Sequence, residues 1–315
     1  MPDQKTLQKF RFFNERINRL IKKAKKISLP GFDRVPIYNV ISFFFKGFQR
    51  GSLVTRASSI AFNLCLAIFP TLILLFTLIP YIPIENLQDE LLKLFGNILP
   101  ENAYLAMEST LVEVLTQKSG GLLSLGLIAT LIFSTNGIHA LISAFNVTSH
   151  SFDTRSWLTQ RLISFVLVFI LLFLLSIAIF LIVFSKAGLN KLIELGFLRV
   201  NIKFYLLQFG KWIIIIALIF FAISFLYYLA PAKKTKWRFI SAGSSLATIL
   251  FIISSLGFSF FVNNFGQYNK IYGSIGTLIV ILLWMYLNAI TLLIGFELNV
   301  SISSANLKNK GIFFN

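Results

Sequence analysis

Between Phe133 and Asn146, four polar side chains recur at steps of three and four: Asn136, His139, Ser143 and Asn146. On a helix those steps bring them onto one face. Ala140 and Ala144 lie beside them, and Phe133, Leu141, Ile142 and Phe145 fill the remaining positions. Amide, imidazole and hydroxyl groups offer donors and acceptors with little fixed charge. Such a strip suits a groove that passes a polar headgroup. It equally suits helix packing, in which small residues allow close approach and Asn bonds across. The spacing leaves both readings open. Asn63 and Arg56 lie in another apolar segment, and they would add an amide to the path and a cation at its mouth.

Catalytic chemistry finds little to work with. The chain has two histidines, His139 and His150, whereas even a catalytic zinc site takes three protein ligands. No metal and no cofactor is expected, and His139 is either a packed imidazole or a proton-linked switch. There is no Walker A loop, no G-x-S-x-G elbow and no paired carboxylates, so no enzyme activity is expected. The lone Cys65 sits in an apolar run and reads as a small buried residue.

The elements that must position these residues are six apolar runs, about 57–80, 122–145, 162–185, 212–230, 239–262 and 274–297. A helix needs about 20 apolar residues to cross the hydrocarbon core. No Asp, Glu, Lys or Arg interrupts the runs until Glu297, at the end of the last. Only 13% of residues are charged, against about a quarter in soluble domains, which excludes a water-soluble globule. Continuous runs rather than alternation exclude an outer-membrane barrel. The expected fold is all-α: a polytopic bundle of six transmembrane helices, over 53–303, with amphipathic interfacial helices.

One such helix is expected in residues 5–27, where Leu7, Phe10, Ile17, Leu20, Ile21 and Ala24 recur among Lys and Arg. It belongs to a basic leader, 1–52, that would lie on an anionic leaflet. Two more fall in 84–118, divided by Pro100. The first apolar run starts too late for a signal peptide. Lys and Arg number 21 on the side of the termini and 8 on the other, narrowing to 11 against 8 near the spans. That bias places both termini, including the short tail 304–315, in the cytoplasm. The net charge of +17 flanks the spans, and no nucleic-acid partner is expected.

Ser241, Gly243, Ser244, Ser245, Ala247 and Thr248 give the fifth span a small-residue face for tight packing. Pro70 is expected to kink the first span. Arg56 and Glu297 open the first span and close the last, where an ion pair would tie the two helices and ordinary interfacial anchoring accounts for them equally well. With no carboxylate deep in any span, coupling to Na⁺ or H⁺ is not expected. The segment 263–276, whose lone charge is Lys270, is expected to form an outer hairpin. Gly266 and Gly273 turn it, Tyr268 and Tyr272 sit at headgroup level, and Asn264 and Asn269 supply amides. It could also gate a lipid path.

Four blocks, "RASSIAFNLCLAIFPTLILL" (56–75), "GLLSLGLIATLIFSTNGIHALISAFN" (121–146), "NNFGQYNKIYGSIGTLIVILLWMYLNA" (263–289) and "GFELN" (295–299), resemble the YihY/BrkB family of bacterial inner-membrane proteins. The resemblance covers about residues 40–303. It implies six helices, cytoplasmic termini and a role in lipid movement and envelope homeostasis. The expected function is movement of phospholipid or lipid-linked glycan across the inner membrane; the alternative is a non-transporting scaffold of an envelope complex. Expected partners are membrane lipids and envelope-spanning lipid-transport proteins. An older ribonuclease label on the family finds no metal cluster or acid pair here to support it.

Overall fold

The computed structural model describes residues 27–28, 31–32, 35–50, 53–81, 112, 119–148, 155–194, 200–232, 239–265 and 274–309. All regular structure among them is helical: α1 (Ile37–Arg50), α2 (Leu53–Leu78, then a 3-10 turn Ile79–Tyr81), α3 (Gly120–Thr148), α4 (Trp157–Glu194), α5 (Val200–Leu229), α6 (Ala242–Phe265) and α7 (Ser274–Asn309). Six helices, α2 to α7, are long and apolar enough to cross a membrane. α2 continues through Pro70. The expected leader helix lies outside the described residues apart from Ile27, and the pair in 84–118 apart from Val112. Gly266, Tyr268, Asn269, Tyr272 and Gly273 also lie outside, while Asn264 falls in the last turn of α6.

Three helices outrun the sequence reading. α4 reaches Glu194 and α5 begins at Val200, so most of the basic stretch 186–211 is helix rather than loop. α7 continues to Asn309, with an apolar span from Leu278 to Leu307. Glu297 is therefore inside that span and 5% exposed, which corrects the expectation of spans without an inner carboxylate.

Each long helix packs on its successor, and α7 returns against α2, so the six form a closed ring. Their shared core gathers where α2 begins and α7 finishes, called here the Arg56 end. Ile60, Leu141, Phe145, Leu167, Tyr227 and Phe296 meet there. Phe145 stacks on Phe296 at 4.1 Å, Tyr227 stands edge-on to both, and its hydroxyl donates to the Leu292 carbonyl at 2.6 Å. Farther along, α4 turns Phe169, Phe173 and Phe180 outward, as a lipid-facing surface requires. Exposed Trp157 and Tyr228 mark the Arg56 end, and exposed Tyr81 and Tyr205 the other, as interfacial aromatics do.

Ser119, Ser156 and Ser241 cap α3, α4 and α6 by accepting from the backbone N–H of Leu122, Thr159 and Ser244. Ahead of α1, Gly31 adopts φ +87° against the start of α6, a conformation that suits glycine. Val35 and Val40 then bury against Ile302 and Ala305 near the end of α7. Tyr38, Ile41 and Phe45 occupy the exposed side of α1.

The closest helix approach joins α6 to α7. A Cβ on Gly243 would collide with the Gly295 carbonyl, and one on Gly295 would lie 2.6 Å from both the Gly243 carbonyl oxygen and Ala247 Cβ. The Asn299 amide oxygen accepts from Gly243 N at 2.8 Å, and its nitrogen donates to Ser241 Oγ at 2.8 Å. Gly295→Ala is thus expected to cost about 1–3 kcal/mol through overpacking. Gly257→Ala, where nothing lies within 4 Å, should be neutral or stabilising by about 0.5–1 kcal/mol. Thermal unfolding of the two variants in detergent checks the contrast.

Candidate functional site

A cavity of about 380 Å³ opens between α2 and α3 at the Arg56 end. Arg56, Ser59 and Asn63 border it from α2, and Asn136, His139, Ala140, Ser143, Ala144 and Val147 from α3. The helix repeat explains the set. Steps of three and four from Arg56 reach Ser59 and Asn63, and the same steps from Asn136 reach His139, Ala140, Ser143 and Val147. Gly137 lets the helices close beside it: a Cβ there would meet Leu64 Cδ2 at 2.7 Å. From Arg56 to Asn63 the wall extends about 10 Å along α2. Val147, 60% exposed, and neighbouring Phe62, 59% exposed, flank the cavity on the lipid-facing side.

Five sequence-selected residues, Arg56, Asn63, Asn136, His139 and Ser143, therefore border one space. Asn146 does not. Its amide oxygen accepts from Ala232 N at 2.9 Å, just beyond α5. That same end of α5 is gripped by Arg155, which donates to the carbonyls of Leu229 (3.2 Å), Ala230 (3.4 Å) and Pro231 (2.5 Å). These carbonyls lack helical partners, so the cation satisfies them and opposes the negative helix end. Burial pulls the Arg155 guanidinium below its ordinary pKa. Sequence reasoning passed over Arg155 because its partners are backbone carbonyls. Ser59 was also missed, although its three-residue step from Arg56 was visible.

Many polar side chains in the spans are bonded within or between helices. Thr71, Thr77, Ser124, Ser164, Ser176 and Thr248 each donate to the carbonyl four residues back. Asn288 receives Ser254 Oγ at 3.2 Å, and Asn299 ties α6 to α7. Asn63 donates to the Ser59 carbonyl at 2.9 Å. Among the described residues, the side chains of Ser59, Asn136, His139 and Ser143 make no hydrogen bond, and His139 Nδ1 is buried without a partner, as are the hydroxyls of Thr130, Ser224 and Ser301 elsewhere.

Arg56 is held from one side. Its Nη1 donates to the Ala144 carbonyl at 3.2 Å and to Thr148 Oγ1, clamping the start of α2 to the end of α3. Its Nε is buried without a partner. Glu297 and Arg56 attract one another electrostatically, but the guanidinium's direct contacts are with α3. Among the described residues, no three of His, Cys, Asp and Glu gather as a metal site would require.

The fold is that of a six-span helical membrane protein with a polar cavity between its first two spans. The chain belongs to the family described as Virulence factor BrkB, which matches residues 44–311. YfkH of Bacillus subtilis, named a ribonuclease-like protein, is 33% identical over 246 residues, spanning 78% of this chain and 88% of YfkH. A UPF0761 membrane protein of Idiomarina loihiensis is 28% identical over 224 residues, 71% of this chain and 75% of that protein. One from Xanthomonas euvesicatoria is 25% identical over 291 residues, covering 92% of this chain. This chain spans only 65% of that Xanthomonas protein's length. No solved structure matches the chain.

The bonding pattern separates two kinds of polar residue. Asn136→Ala and Ser143→Ala remove no protein hydrogen bond and should change stability by no more than about 0.5 kcal/mol. Asn299→Ala leaves buried Gly243 N without its acceptor and should cost about 1–3 kcal/mol. Thermal unfolding of the three variants in one detergent tests the distinction.

Proposed function

We propose that this protein moves lipid, or helps to move it, across the bacterial inner membrane for envelope homeostasis, with both termini cytoplasmic and without enzymatic turnover. The cargo is a phospholipid or a lipid-linked glycan. One observation carries the reading: Ser59, Asn136, His139 and Ser143 face a shared cavity with no protein hydrogen bonds. Polar groups in a membrane span are costly unless partnered, and those facing a cavity commonly mark a substrate path. At about 380 Å³ the space lies at the small end of ligand sites and suits a headgroup, with the acyl chains left in the bilayer. Family membership and the excess of Lys and Arg beside the termini support the placement.

Liposomes carrying the pure protein and a fluorescent lipid should exchange that lipid between leaflets faster than empty liposomes. Asn136→Ala combined with His139→Ala should slow exchange by about three- to tenfold, the loss of roughly one net hydrogen bond. Exchange no faster than in empty liposomes would overturn the reading and favour a scaffold.

A further inference from the structure

We propose that the cavity between α2 and α3 is an anion site built on Arg56, and that its ligand is the phosphate of a lipid headgroup. The proposal rests on the lipid-moving reading and names the chemistry that the site selects. A guanidinium grips two oxygens through the flat edge formed by Nε and Nη2. In Arg56 the α3 clamp uses Nη1 alone, which leaves that edge without a protein partner. Nη2 is reachable by solvent whereas Nε is buried without a partner, so the fork closes on a ligand as the side chain turns Nε toward the cavity, which would also relieve that unfilled donor.

The surroundings favour an anion. No carboxylate lines the cavity. Arg161 of α4 stands near enough to His139 for its charge to be felt, adding positive potential on that side. Among the described residues no carboxylate bonds to Arg56, so the unused edge is not already taken by an acid. The neutral donors on the facing wall separate phosphate from carboxylate. A planar carboxylate would spend both oxygens on the arginine edge, whereas a tetrahedral phosphate keeps oxygens for Ser143 across the cavity and for Ser59 one turn along α2. Exposed Phe62 and Val147 beside the cavity point to entry from the bilayer rather than from water.

The test places the full-length protein in nanodiscs of matched acyl chains and counts retained lipid by native mass spectrometry. Three arms present phosphatidylglycerol, phosphatidylcholine or diacylglycerol, which lacks phosphate. Both phospholipids should be retained over diacylglycerol, and phosphatidylglycerol most strongly. Arg56→Gln should reduce phosphatidylglycerol retention about tenfold or more, as loss of a charged hydrogen bond predicts. Arg56→Lys should recover little of it, because an ammonium cannot fork onto two oxygens. If Arg56→Gln fails to fold, Ser143→Ala, which breaks no protein bond among the described residues, should still weaken retention about three- to tenfold. Inorganic phosphate at millimolar concentration should not displace the lipid; displacement would assign the site to soluble phosphates and overturn the lipid source. Equal retention of diacylglycerol and phosphatidylglycerol, or retention unchanged in Arg56→Gln and Ser143→Ala, would overturn the site itself. Leaflet exchange measured on the same protein separates the two ideas: phosphate-selective retention without exchange removes the transport reading alone, and exchange without phosphate selectivity removes this one.

Discussion

Helices in a bilayer gain little by hiding apolar side chains from one another, because the surrounding lipid is just as apolar. Association must come from close backbone approach and interhelical polar contact, and here these gather at one end of the ring. Gly243 and Gly295 bring α6 onto α7, Asn299 bonds across that contact, and Tyr227 donates to the Leu292 carbonyl. Arg56 clamps α2 to α3, while Arg155 and Asn146 grip the end of α5. The stacked Phe145 and Phe296 lie among these contacts. Apolar packing fills the spaces that the polar contacts define.

The cavity acquires its meaning from that background. A bundle that bonds many of its serines and threonines to their own helix, and uses Asn288 and Asn299 as cross-links, leaves a cluster of donors bordering one cavity, apart from the scattered hydroxyls of Thr130, Ser224 and Ser301. Asn146 shows how fine the distinction is. It shares the periodicity of Asn136, His139 and Ser143, yet it serves the neighbouring α5 instead. A side chain's role is set by what stands opposite, which a single helix's pattern does not reveal.

The six spans were legible because charge is so costly in a bilayer that its absence over about 20 residues identifies them. The end of the last span was not. Glu297 reads as a terminator in sequence, whereas in the fold α7 continues and buries Asn299 and Ser301 near it. The face bearing Asn136, His139 and Ser143 was visible as a 3.6-residue pattern, but its partner face on α2 was only partly read, through Arg56 and Asn63. Ser59 was overlooked because a lone serine in an apolar helix usually bonds to its own backbone. Arg155 left no pattern at all, since carbonyl groups are common to every residue.

The length of α7 carries a mechanical consequence. Its apolar span of 30 residues measures about 45 Å, against about 30 Å of hydrocarbon, so it must tilt, protrude or thicken the bilayer around it. The residues that would project are those near Ile302 and Ala305, and α1 is already packed on them. With its apolar flank of Tyr38, Ile41 and Phe45 turned outward, α1 acts as a collar on an overlong post. Any tilt that hides the surplus length of α7 must therefore carry α1 with it, because the two are packed together at that end.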